Sequence, residues 1–297
     1  MRNKLFLMLC IAAVALLAFT QAPTTSNFMV FSLQAQTIKR MEKKYINTEI
    51  GQIAVHHKLS QLRATPVIFL HGVYLDHHLW DNQISEINDR PVIAIDMPFH
   101  GESKHNIKSN WNLNDCAEML LEILDSLKLD KVIAVGHSWG SMTILRAADK
   151  TPNRFAALGL CNMPFKEAST SEKRTIYLQH SALIFRRFYM KQAGKALMGK
   201  ESLVHNPLLL QKLITSMSRL TNKEIKYTNK AVRIDAEDTS PLIMNLSLPV
   251  VALIGEEDYV GSPPIKDIIT VKGGHVSPLE APNEVINLIN RLTRLVD

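Results

Sequence analysis

The sequence predicts an α/β protein: a mostly parallel central sheet with helices on both faces, interrupted by a helical insertion. Three observations carry this. Short apolar runs at residues 67–70, 92–95 and 131–135 have the length and composition of strands buried on both faces. Segments with apolar residues at helical spacing separate them, and alternating strands and helices demand a parallel sheet covered on each side. From residue 164 to 246 the rhythm stops: no apolar strand is found, and 14 basic residues stand against seven acidic ones.

The elements follow in order. Residues 43–48 and 52–59 flank Gly51 and read as a β-hairpin. After the strand at 67–70, a helix is expected near 78–87, then the strand at 92–95. Residues 113–127 form an amphipathic helix with Asn112 or Asn114 available as its cap. The strand at 131–135 leads into a helix over 141–150, and 155–160 closes this first part of the core, residues 43–163. The insertion, residues 164–246, is expected to cap the sheet. Strands at 248–254 and 268–271 and a helix over 280–295 complete the core, residues 247–297.

The totals bound the function. A 297-residue chain can bury a sizeable core, and 46% hydrophobic with 21% charged residues is ordinary for a globular protein. The net charge of +6 reads as diffuse surface lysine, and no basic stripe with interleaved aromatics points to nucleic acid. Residues 1–22 have the layout of a signal peptide: Arg2 and Lys4, a continuous apolar run from Leu5 to Phe19, then Thr20-Gln21-Ala22. A secreted or periplasmic protein is expected, with retention of this segment as a membrane anchor the alternative. Membrane contact is expected through it, while the insertion's lysines and arginines read as a solvated face, with attraction to anionic substrates or a membrane surface the alternative. Beyond it stand Cys116 and Cys161 alone, both in apolar surroundings, which reads as two buried thiols rather than a disulfide framework or a zinc site.

The chemistry centres on Gly136-His137-Ser138-Trp139-Gly140, a G-x-S-x-G between a strand and a helix. A serine on that sharp turn stands exposed above the sheet, and the neighbouring glycines let strand and helix approach. Serine needs a base, and His275, in Gly273-Gly274-His275 after the last strand, is placed to serve. Histidine needs a carboxylate to fix its tautomer, and Asp258 follows the preceding strand, with Glu257 as the fallback. Two backbone N–H groups should face the developing oxyanion: that of Trp139, and that of Val73 in the loop after strand 67–70. His71, Gly72, Phe99 and His137 are candidates for the substrate pocket, although His71 reads first as a brace for its loop through hydrogen bonds. Neither a metal nor an organic cofactor is called for.

The set His71-Gly72, Asp96-Met97-Pro98-Phe99-His100-Gly101-Glu102-Ser103, Gly136-His137-Ser138-Trp139-Gly140, Gly255-x-x-Asp258 and Gly274-His275 resembles the α/β-hydrolase superfamily. The likeness is nearest to its capped branch of esterases, lactonases, carbon–carbon bond hydrolases and prolyl iminopeptidases. The resemblance implies a serine hydrolase acting on a small acyl or cyclic ester through a Ser-His-Asp triad. A non-catalytic small-ligand-binding protein on the same fold is the alternative. Phe99 stands where that family usually has glycine, so either a left-handed backbone is strained there or the turn differs. Serine at 138 argues against the branches that open epoxides or cleave carbon–halogen bonds, which carry aspartate.

Overall fold

Eight strands form one sheet in the order β1-β2-β4-β3-β5-β6-β7-β8 in the computed structural model, which describes residues 41–58 and 64–297. These are β1 (Glu42–Asn47), β2 (Gln52–Lys58), β3 (Val67–Leu70), β4 (Val92–Ile95), β5 (Val132–His137), β6 (Phe155–Cys161), β7 (Val250–Gly255) and β8 (Ile268–Val271). The hairpin β1–β2 and the β2–β4 pair are antiparallel, and every other pairing is parallel. The expected signal segment, residues 1–22, lies outside the described residues.

Alternation along the strands sorts the core into two layers. Ile68, Leu70, Ile93 and Ile95 point to one face, against α2 (Leu113–Ser126) and α3 (Trp139–Lys150). Val67, Phe69, Val92 and Ala94 point to the other, where α11 (Pro282–Val296) buries Val285, Leu288, Ile289 and Leu292. That spacing is one stripe of a helix, and each such side chain contributes about 2 kcal/mol by leaving water. Helix α2 starts where Asn112 predicts: its side chain accepts from the Asn114 and Asp115 amides, and Asp115 returns the bond.

Boundaries differ from the sequence reading at ends set by backbone geometry. A 3₁₀ turn, His77–Trp80, capped by Asp76, precedes α1 (Asp81–Glu86), so the helix expected at 78–87 is split. Strand β5 runs on to His137, and α3 begins at once at Trp139, leaving Ser138 alone at the turn. The last helix begins at Pro282, after the separate turn α10 (Ser277–Glu280).

Between β6 and β7 lie α4 (Thr170–Ser181), α5 (Arg186–Leu197), α6 (Lys200–His205), α7 (Leu208–Ser218), α8 (Asn222–Asn229), a π-helical turn at Lys230–Ile234, and α9 (Ser240–Asn245). The described residues form one compact unit, so these helices share a body with the sheet. Tyr74, from the loop after β3, fastens them: its hydroxyl meets Tyr189 Oη at 2.8 Å and donates to Asn229 Oδ1 at 3.0 Å. Tyr227 donates to the Trp111 carbonyl at 2.7 Å, and Arg219 pairs with Asp76 at 3.1 Å.

Candidate active site

Ser138 sits between β5 and α3 at φ 52°, ψ −113°, a conformation few non-glycine residues adopt. The neighbouring glycines make the turn possible. A Cβ on Gly140 would overlap the Leu70 carbonyl, and one on Gly136 would overlap the Ser141 amide. Gly140→Ala is expected to cost about 1–3 kcal/mol through overpacking, since backbone on both sides cannot move away. A urea titration checks it, and an unchanged midpoint would show the crossing is looser than described.

The loops at the C-terminal ends of β5, β7 and β8 bring three side chains together. Ser138 Oγ lies 2.9 Å from His275 Nε2, and His275 Nδ1 lies 2.8 Å from Asp258 Oδ1. All three are shielded: Ser138 is 7% exposed, His275 4%, and the Asp258 carboxylate 1%. Burial alone would raise the Asp258 pKa, but the His275 hydrogen bond and charge, with further bonds from Asn162 and the Val260 amide, hold it below the usual range. Glu257 turns elsewhere and accepts from the Lys200 amide at 3.1 Å.

Asn162 has no precedent in the sequence reading. It follows β6 in a left-handed conformation, φ 50°, fully buried. Its side-chain amide donates to Asp258 Oδ2 at 2.8 Å and to the Gly274 carbonyl at 3.2 Å, and its oxygen accepts from the Ser277 amide at 3.3 Å. One side chain thus ties the loop carrying Asp258 to the loop carrying His275. Only its position just past a strand's C-terminal end hinted at this.

The Val73 and Trp139 amides have no backbone acceptor among the described residues. The Trp139 amide also stands at the N-terminus of α3, where the helix dipole favours negative charge. Its indole is fully buried, stacked on Trp111 at 5.3 Å, so only its backbone can reach a substrate.

Ser138 and His275 open onto a cavity of about 580 Å³, walled by Val73 and Leu75 below and by Phe165, Ile176 and Val232 of the insertion above. Of the four sequence-predicted pocket residues only His137 lines it. His71 is fully buried, donating from Nδ1 to the Gly72 carbonyl (2.7 Å) and accepting the Met97 amide at Nε2 (2.9 Å), so it braces two loops instead. Gly72 packs its α-carbon against the His137 ring. Phe99 keeps the left-handed backbone (φ 68°) and turns away to pack on Trp111 and Tyr227 at 6.0 and 5.8 Å. That aromatic packing offsets a strain of about 1–2 kcal/mol.

Three other histidines serve the scaffold. His56 and His77 stack at 3.5 Å and both reach Asp96, whose oxygens also accept the His77 and Glu102 amides. Burial pushes the Asp96 carboxyl up, but these bonds and the neighbouring imidazoles outweigh it and hold it far below the usual range. His56, His77 and Asp96 bring ligand-type atoms within 4.8 Å of one another, but both ring nitrogens already bond Asp96 Oδ2, His56 Nε2 at 3.0 Å and His77 Nδ1 at 3.1 Å. The cluster is a hydrogen-bond hub joining the loops after β3 and β4. His100 completes it, donating to the Pro98 carbonyl and accepting the Tyr74 amide at 3.1 Å.

A strand–turn–helix serine, then an aspartate, then a histidine, in that chain order and meeting at one sheet edge, define a hydrolase-type scaffold. The chain belongs to the α/β hydrolase fold family, whose model matches residues 65–266. Among curated relatives, it is 33% identical over 111 residues to the dihydrolipoyllysine-residue acetyltransferase component of the acetoin cleaving system of Pseudomonas putida, covering 37% of this chain and 30% of that protein. It is 30% identical over 131 residues to an esterase of Mycobacterium tuberculosis, covering 42% and 44%. The chain thus spans less than half the length of these relatives. A thermophilic esterase from Thermogutta terrifontis superposes with a TM-score of 0.73 over 86% of this chain and all of that one, at 24% identity.

Proposed function

We propose that the protein is a serine hydrolase that cleaves an ester, thioester, lactone or activated amide through an acyl-enzyme. The observation carrying this is the unbroken chain from Ser138 Oγ through His275 to Asp258, with both links at 2.9 Å or less. Esterases among the relatives support the ester-type bond.

His275 Nε2 takes the Ser138 proton as Oγ attacks the carbonyl carbon, while Asp258 holds Nδ1–H and stabilises the imidazolium. The carbonyl electron pair moves onto oxygen, where the Trp139 and Val73 amides receive it. The tetrahedral species collapses, the C–O (or C–S, C–N) bond breaks, and His275 gives its proton to the leaving group. Water, deprotonated by the same imidazole, then releases the acid and restores Ser138. Losing one oxyanion donor costs about 3–4 kcal/mol in other hydrolases, so the two amides carry weight comparable to the side chains. The lining of Val73, Leu75, Phe165, Ile176 and Val232 suits a small apolar acyl or cyclic ester group.

The test is turnover by the purified protein of p-nitrophenyl esters of graded length, lactones and proline amides. Preference for a short or medium ester or a lactone supports the reading. No turnover of any, with thermal stabilisation by a small apolar ligand, would assign the cavity to binding instead. Asn162 is a positioning residue on this account. Asn162→Ala should lower kcat roughly 10–100-fold with little change in KM, because Asp258 and His275 lose registry. A change in KM alone would contradict that role.

A further inference from the structure

The described residues include eleven large apolar side chains that stand exposed, and five of them fall within twelve positions of the insertion: Tyr177, Leu178, Ile184, Phe185 and Phe188. Ile184 is 82% exposed, Leu178 73% and Phe185 71%. They are clustered at the corner where α4 passes through a 3₁₀ turn, Ala182–Phe185, into α5. The inner side of this corner is apolar too, with Ile176, Leu183, Tyr189 and Met190 buried. The outer apolar face is therefore additional to what the core uses.

Charge along this segment of the chain is one-signed. Residues 173–200 hold seven lysines and arginines and no aspartate or glutamate. Arg186 is spent inside, donating to the Met217, Ser218 and Leu220 carbonyls. Arg174, Arg187, Lys191 and Lys195 are exposed, and no ion pair engages them among the described residues.

We propose that this corner docks onto an anionic lipid surface. Ile184, Phe185 and Phe188 enter the acyl boundary, and Arg174, Arg187 and Lys191 meet the phosphates. An apolar tip ringed by cations is what an interfacial segment needs, since a bilayer offers an apolar layer directly beneath an anionic one. A second copy of the chain is disfavoured by the same charges, because a twofold contact sets cations against cations. In sequence the insertion's lysines and arginines read as a solvated face, with attraction to a membrane surface as an alternative; the exposed apolar tip beside them favours that alternative. Helix α4 also walls the cavity through Ile176, so docking holds the cavity about one helix diameter, roughly 10 Å, from the lipid.

The experiment uses the full chain with Phe185→Trp, against the native Trp80, Trp111 and Trp139, all buried. Vesicles of brominated phosphatidylcholine mixed with phosphatidylglycerol should quench and blue-shift the new indole, whatever else in the chain touches lipid. Adding Arg187→Glu and Lys191→Glu should weaken partitioning about twentyfold or more, at roughly fivefold per cation lost. Hydrolysis of a soluble ester by these variants, unchanged, certifies the fold. An indole that stays water-exposed while the protein is vesicle-bound would overturn the proposal. Equal quenching by pure phosphatidylcholine would overturn the anionic assignment, and a vesicle-free dimer that shields the indole would give the face to a second copy.

Discussion

Ser138→Ala is expected to remove about six orders of magnitude from kcat while leaving the protein folded. Among the described residues the hydroxyl bonds only to His275, and the backbone turn at φ 52° is set by Gly136 and Gly140, which alanine at 138 leaves untouched. His275→Ala should cost as much, and the double variant no more than either single one, because serine and base act as one unit. Kinetics on a p-nitrophenyl ester, with melting temperature as the fold control, decide it. Retention of even one hundredth of the activity by Ser138→Ala would place the nucleophile elsewhere.

Stability should fall steeply in mild acid. Burial, then the nearby His71 charge, pushes the His100 pKa down to about 3; burial, then the His275 charge, does the same to His137. Both are held neutral by their surroundings. His137 donates from Nε2 to the His275 carbonyl at 2.7 Å and leaves Nδ1 buried without a partner among the described residues, so an added proton would have no acceptor there. Above the ordinary histidine value of about 6.5 neither folded nor unfolded chain binds that proton, and the two groups have no effect. Below it, the unfolded chain takes up protons that the folded one refuses until pH nears 3. Stability therefore drops with falling pH by up to about 1.4 kcal/mol per pH unit for each residue. Asp96 adds to the trend at lower pH: its depressed carboxyl contributes stability above the ordinary carboxylate value, which is lost as pH falls below that value toward its folded one. Urea midpoints measured from about pH 7.5 to 5 should decline with a slope exceeding one proton. His137→Gln, whose amide can still reach the carbonyl, should flatten the slope by about one proton. A midpoint independent of pH over that range would contradict the buried, neutral state of these rings.

Much of this was legible in the sequence because it depends on local signals. The runs at 67–70 and 92–95 were legible as strands because short, wholly apolar runs of four suit a sheet covered on both faces. The Ser138, Asp258 and His275 assignment rested on each lying just past a strand end, and the structure brings these three side chains together. Roles that depend on how loops pack were not legible. His71 reads in sequence both as a brace for its loop and as a pocket candidate, but its second partner was not legible: its two nitrogens are used by the Gly72 and Met97 backbones, 26 residues apart in the second case. Asn162 carries no motif, and its importance arises only when β6, β7 and β8 lie side by side. Phe99 keeps a glycine-like backbone because Trp111 and Tyr227, the latter from the insertion, receive its ring. The insertion's outer face was invisible as well: its exposed apolar residues have the same composition as buried ones, and only coordinates separate Ile184 from Leu183.

The central claim is that one hydroxyl, made nucleophilic by a buried imidazole and carboxylate, attacks the substrate carbonyl. Phosphonylation by a fluorophosphonate, followed by peptide mass mapping, addresses it directly. A single adduct on Ser138 that disappears in Ser138→Ala and forms far more slowly in His275→Ala is the predicted result. An adduct on any other residue, or one on Ser138 that forms equally fast without His275, would contradict it.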